Sequence, residues 1–127
     1  DWMSNIDEKF DIIVSNPPYI KESEIVLLNQ GVKDFEPKLA LSGGYDGLVS
    51  YKNIIKNSRG HLNPRGFVAV EIAINQAGNI SEIFTTYGYK IKKITNDLSN
   101  IERCILATLS KSWLIIKIKV WKIHVYL

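Results

Sequence analysis

Phe10-Asp11-Ile12-Ile13-Val14-Ser15 runs straight into Asn16-Pro17-Pro18-Tyr19-Ile20, and this junction constrains the fold more than any other stretch. Three consecutive β-branched residues without alternation predict a strand covered on both faces, as in a parallel sheet. Pro17 and Pro18 cannot donate to a strand ladder, so the strand must stop at Ser15 or Asn16. The product is a stiff loop at a strand's carboxyl end, which is where open α/β sheets hold their ligands.

That loop has a definite chemistry. Asn16 carries a side-chain carbonyl acceptor, and Pro17 offers a backbone carbonyl with no N–H beside it. Two acceptors can therefore converge on a planar –NH2 group, and Tyr19 supplies a flat face for it. An amide or aromatic amine nitrogen is a weak nucleophile because its lone pair is delocalised. Accepting both of its hydrogens pushes density onto nitrogen and supports the positive charge that grows as it attacks an electrophilic methyl. This is positioning plus electrostatic preorganisation, and it needs no strongly shifted pKa. The same four residues also read as a Pro-stiffened turn after a core strand. By themselves they leave both readings open.

The rest of the chain alternates strand and helix signals. Ser23 to Leu28 suits a short helical turn inside a long loop that reaches residue 47, and a long loop after a ligand-facing strand end reads as a lid or substrate loop. Asp46 is a helix cap, followed by Leu48, Tyr51, Ile54, Ile55 and Leu62 at helical spacing. Asn63-Pro64-Arg65-Gly66 is expected to end that helix. Phe67 to Ile72 then reads as a second buried strand, with Glu71 either a pocket carboxylate or a hydrogen-bonded structural one. A second helix is expected from Gln76 to Tyr87, presenting Ala77, Ile80, Ile83, Phe84 and Tyr87, with Gly88 as its stop. Tyr89–Asn96 and Arg103–Leu109 complete an antiparallel hairpin, in which Cys104 is expected as a buried, inert thiol. This order predicts the second half of a doubly wound α/β domain.

Composition bounds the partners. The 127 residues suffice for one modest domain. One cysteine precludes an internal disulfide and fits a reducing, cytoplasmic setting. Two histidines and one cysteine offer no metal-ligand spacing, and no 18-residue apolar run suggests a membrane span. The net charge is +3, but Lys111, Lys117, Lys119 and Lys122 supply +4 of it, which leaves −1 for the remainder. A body so near neutrality lacks the basic footprint of a nucleic-acid binder. Residues 110–127 form an apolar, basic, β-prone tail that fits no element of the domain.

The Asn-Pro-Pro-Tyr motif resembles that of S-adenosylmethionine-dependent amino-methyltransferases, which act on adenine in DNA or RNA or on glutamine in proteins. Residues 1–109 resemble, more narrowly, the C-terminal half of the HemK family, the peptide chain release factor glutamine methyltransferases. The similarity runs through Asp1-Trp2, Phe10 to Ile20, Phe35-Glu36-Pro37, Ala40-Leu41, Gly43-Gly44, Asp46-Gly47-Leu48, Tyr51, Glu71, Gln76, Asp97-Leu98 and Arg103. It implies a Rossmann-like methyltransferase fold of which only the C-terminal half is present. It further implies methyl transfer from S-adenosylmethionine to the glutamine of a Gly-Gly-Gln motif in release factors. Asn16 and Pro17 would be catalytic, Asn16 to Tyr19 would bind substrate, and Trp2 and Asn16 would contact the cofactor. The alternatives are an adenine amino-methyltransferase, with a nucleic acid as partner, and an inactive remnant of a methyltransferase gene. Ala73 and Asn100 stand at family glycine positions. The Gly-rich first βα turn and the ribose-binding acid are not among these residues. The isolated chain is therefore expected to be marginally stable, with Ile12, Ile13 and Val14 poorly covered, and to bind the cofactor weakly.

Overall fold

The computed structural model describes residues 3, 5–25 and 42–110. Trp2, Phe35-Glu36-Pro37, Ala40-Leu41 and the tail from Lys111 onward lie outside the described residues. In chain order the elements are β1 (Phe10–Ser15), α1 (Glu22–Ile25), α2 (Val49–His61), β2 (Leu62–Glu71), α3 (Ala77–Thr86), β3 (Tyr89–Asn96) and β4 (Glu102–Leu109). They form one four-stranded sheet in the order β1-β2-β4-β3. β1 and β2 are parallel, with α2 making the crossover, whereas β4 is antiparallel to both β2 and β3.

The core lies on one face of this sheet. Val68, Val70 and Ile72 of the β2 region and Ile105 and Ala107 of β4 are fully buried. Tyr51 and Ile55 of α2 and Ala77, Ile80 and Phe84 of α3 close over them. Phe84 meets Tyr89 edge to face, with ring centroids 5.3 Å apart at 76°. Below the rings, the Tyr89 hydroxyl lies 2.8 Å from Ser58 Oγ. Ser58 spends its one proton on the Ile55 carbonyl at 3.0 Å, so the Tyr89 hydroxyl is the donor between them. Burial pushes the Tyr89 phenol up to about 12.

The opposite face is open, which corrects the expectation of strands covered on both sides and agrees, at Ile12 and Val14, with the poor cover expected of the isolated chain. Ile12 is 50% exposed and Val14 74% exposed, while Ile13 packs on the core. The register puts Ile12 opposite Phe67, and Val14 opposite Ala69, which is itself opposite Leu106. These residues share the open face. An uninterrupted apolar run marks a strand, but it does not reveal whether both faces have partners.

One boundary moved. β2 begins at Leu62, expected as the last residue of the helical stripe, and runs through Asn63 to Gly66, expected as a turn. Phe10 pairs with Leu62 and Ile12 with Phe67, so Asn63 to Gly66 bulge out of the ladder. The turn residues are accommodated as that bulge. Asn63 Nδ2 donates to Asp11 Oδ1 at 2.9 Å, and a Cβ on Gly66 would stand 2.9 Å from the Phe10 carbonyl oxygen. At the end of α3, Gly88 takes φ +81°, the left-handed stop expected of it.

Candidate active site

The carboxyl ends of β1 and β2 lie side by side, and three loops gather there. The first is Asn16 to Tyr19. Asn16 is exposed, and the next side chain, Pro17, is fully buried. Tyr19 is half-buried and packs against the core. The loop is therefore anchored at Pro17 and Tyr19 while the Asn16 amide stays open to a ligand.

The second loop, Ser42 to Leu48, rests directly on the first. Gly43 N donates to the Ile20 carbonyl at 2.8 Å, and Glu22 N to the Gly44 carbonyl at 3.1 Å. Gly47 takes φ +72°, and a Cβ there would stand 2.7 Å from the Tyr19 carbonyl oxygen and 3.2 Å from Gln76 Nε2. Asp46 was expected to cap α2, but the cap position falls at Leu48, which makes no side-chain cap hydrogen bond, and Asp46 instead forms a turn just ahead of the helix. Its Oδ1 accepts from Leu48 N at 2.8 Å, and its Oδ2 pairs with Lys52 Nζ at 2.6 Å. The Lys52 hydrogen bond holds the Asp46 carboxyl below its ordinary value.

The third loop follows β2. Gln76 Oε1 accepts from Ala73 N at 3.3 Å, which folds residues 73–76 into a compact turn ahead of α3. Behind it, the Tyr51 hydroxyl donates to the Glu71 carbonyl at 2.9 Å and ties α2 to the end of β2. Burial, then the proximity of Tyr19 and Glu71, raises the Tyr51 pKa, so this phenol remains a donor.

These loops frame two hollows. The smaller, about 400 Å³, is lined by Val14, Ser15, Asn16, Ala69, Glu71, Asp97, Arg103 and Cys104. The larger, about 970 Å³, takes in Tyr19, Lys21, Tyr45, Asp46, Gln76 and, again, Arg103. Asn16 and Tyr19 thus face different hollows, which share Arg103. Glu71 is exposed in the smaller hollow, so of its two expected roles the structure shows the pocket carboxylate. Cys104 was expected to be buried and is instead half-exposed beside Glu71 on the open face. Burial, and then Glu71, raises its pKa, which keeps the thiol protonated and unreactive.

The hairpin of β3 and β4 supplies a part of the site that sequence reading placed only as a closing element. Asp97 Oδ1 accepts from Ser99 N at 2.8 Å and Ile101 N at 3.0 Å. Its Oδ2 accepts from Arg103 Nε at 2.9 Å. The Ile101 amide first, then Arg103, holds the Asp97 carboxyl below its usual value. Asn100 takes φ +61° in the turn, a conformation that Asn tolerates. An Asp followed by an Arg six residues later across a short hairpin was the available signal.

Among the described residues no His, Cys, Asp and Glu cluster could hold a metal. No helix among them is long and apolar enough to cross a membrane.

No family model matches the chain. It is 45% identical over 100 residues to the release factor glutamine methyltransferase of Clostridium acetobutylicum, covering 79% of this chain and 35% of that protein. The release factor glutamine methyltransferase of Clostridium botulinum is 46% identical over 99 residues, covering 78% and 35%. A bifunctional methyltransferase of Rickettsia prowazekii is 42% identical over 106 residues, covering 83% and 20%. The chain thus spans about a third of the length of the first of these relatives, or less. In fold it resembles a methyltransferase from Pyrococcus furiosus, with TM-score 0.55 and 20% identity, over 80% of this chain and 42% of that one. It likewise resembles the ribosomal protein L11 methylase of Lactobacillus delbrueckii subsp. bulgaricus, with TM-score 0.52 and 18% identity, over 84% and 40%. The fold is that part of a Rossmann-like α/β methyltransferase domain.

Proposed function

The chain belongs to the release factor glutamine methyltransferase family, and from that premise we propose that its loop Asn16 to Tyr19 serves methyl transfer to a glutamine side-chain amide of a release factor, within the Gly-Gly-Gln motif. One observation carries the reading: an exposed Asn16 amide stands directly before a fully buried Pro17 at the carboxyl end of β1. That geometry suits an open amide acceptor on a loop held fixed by its proline.

In this reading Asn16 Oδ1 accepts one hydrogen of the substrate –NH2 and the Pro17 carbonyl accepts the other. Pro17 has no N–H to compete for those acceptors. Pro18 keeps the loop stiff, and Tyr19 meets the substrate from the adjoining hollow. Together they hold the nitrogen in line and stabilise the charge that develops on it. S-adenosylmethionine, when bound, supplies the electrophilic methyl. Asn16, open in a hollow at the carboxyl end of β1, would face its reacting end. Trp2 is the further residue assigned to the cofactor. In this reading residues 1–109 correspond to the C-terminal part of the methyltransferase domain, and the sequence of residues 110–127 has no counterpart in it. The reaction places the protein in the cytoplasm, where release factors act.

The test is incubation with methyl-labelled cofactor and two acceptors, a release-factor domain and adenine-containing nucleic acid. Label is expected in the release factor. Label confined to methyladenine would transfer the loop's chemistry to a flipped base.

A further inference from the structure

Arg103 stands where the two hollows meet. It lines the one that holds Asn16 and Glu71 and also the one that holds Tyr19, Lys21 and Gln76. Its Nε is fixed to Asp97 Oδ2 at 2.9 Å, and Asp97 is itself pinned by the Ser99 and Ile101 amides. A guanidinium is a planar fork of five N–H donors with no acceptor. With Nε engaged, the terminal nitrogens remain for a ligand, and the side chain is 36% exposed.

The surrounding charge indicates what kind of ligand. In the larger hollow Lys21 and Arg103 face Glu24 and Asp46, and in the smaller one Arg103 faces Glu71 and Asp97. The larger hollow is balanced and the smaller carries one excess negative charge, so neither attracts an anion. A neutral acceptor, the carbonyl oxygen of a peptide main chain, suits the fork better. Glycine leaves such carbonyls bare of neighbouring side chains.

We propose that Arg103, held by Asp97, binds the main-chain carbonyl of the glycine preceding the substrate glutamine and so positions the peptide whose glutamine amide rests on Asn16. This rests on the function proposed above and adds a specificity determinant to it. A peptide that lays its glutamine in one hollow and continues into the other must cross this residue.

The test is equilibrium binding of a Gly-Gly-Gln peptide to the full 127-residue chain, followed by nuclear magnetic resonance. A second peptide carries a thioamide in place of the carbonyl of the glycine before glutamine. Arg103→Ala is expected to weaken the normal peptide on the order of tenfold, as fits a charge-assisted hydrogen bond. Arg103→Lys should recover part of that loss, because it keeps the charge but not the fork. The thioamide should weaken binding to the unaltered chain and cause no further loss in Arg103→Ala. A merely structural Arg103 would leave the thioamide penalty intact in the variants, which would overturn the proposal. So would equal affinity of Arg103→Ala and the unaltered chain. Failure of the unaltered chain to bind either peptide would count against the function itself, and the inference would fall with it.

Discussion

The carbonyl oxygen of Tyr19 lies 2.7 Å from the point where a Cβ on Gly47 would stand, and Gly47 has φ +72°. Two loops separated by a long stretch of chain are therefore packed backbone to backbone. The position of Tyr19 depends on the absence of a side chain at Gly47.

Gly47→Ala is accordingly expected to act on the site and not only on stability. The left-handed backbone alone costs an alanine about 1–2 kcal/mol. The Tyr19 carbonyl must also move to admit the methyl. A thermal melt should show the destabilisation, and Gly-Gly-Gln peptide affinity should fall with it. A variant that melts and binds like the unaltered chain would refute the packing argument.

Tyr89→Phe removes the hydroxyl that donates to Ser58. Loss of this buried hydrogen bond is expected to cost about 1 kcal/mol, read as a lower denaturation midpoint with an unchanged slope. The same hydroxyl predicts an alkaline limit. Burial raises the folded pKa to about 12, above an unfolded value of about 10. Its contribution is complete below the unfolded value and is lost as pH rises through the folded one. Stability should thus decline above about pH 10, and Tyr89→Phe should flatten that decline. Equal alkaline sensitivity in both proteins would point to another group, with Tyr51 as the next candidate, since burial raises it too.

Asp97 sets an acid limit for the hairpin. Its folded pKa is depressed, chiefly by the Ile101 amide and then by Arg103. Its contribution is therefore present above the unfolded carboxylate value, about 3.9, and is lost as pH falls through the depressed one. Exchange protection of the Ser99 and Ile101 amides should hold from neutrality to about pH 4 and fail below it. Asp46 titrates in the same direction, but its marker is the Leu48 amide. Loss of Ile101 protection already at pH 6 would contradict the assignment.

Where local chemistry decides structure, the sequence was legible. Prolines 17 and 18 end β1 because they lack N–H groups, and Gly88 and Asn100 mark left-handed positions because their side chains permit them. The acceptor loop and its strand were placed for the same reason. Long-range neighbours were not legible. The sheet order brings Cys104 opposite Glu71 and sets both beside the Asn16 hollow, and nothing near Cys104 in the chain signals that. Arg103 reached the lining of both hollows only through the fold, which also sets it against Asp97. The β-branched run alone did not disclose the open face around Ile12 and Val14, because it looks the same with one covered face or two, and the poor cover of those residues was expected only from the family resemblance. Asn63 to Gly66 carry turn residues, yet the β1 pairing retains them in β2 as a bulge.

The central claim is that Asn16 holds the reacting amide, and one comparison tests it most directly. Methyl transfer to a release-factor domain would be measured by mass spectrometry for an enzyme of the relatives' full length carrying these residues, and for its Asn16→Ala variant. Removing one transition-state hydrogen bond is expected to lower kcat by about 10²–10³-fold. The melting behaviour should be nearly unchanged, because Asn16 is exposed, and the methyl should map to the glutamine side chain. An Asn16→Ala enzyme that retains full kcat on that glutamine would contradict the account.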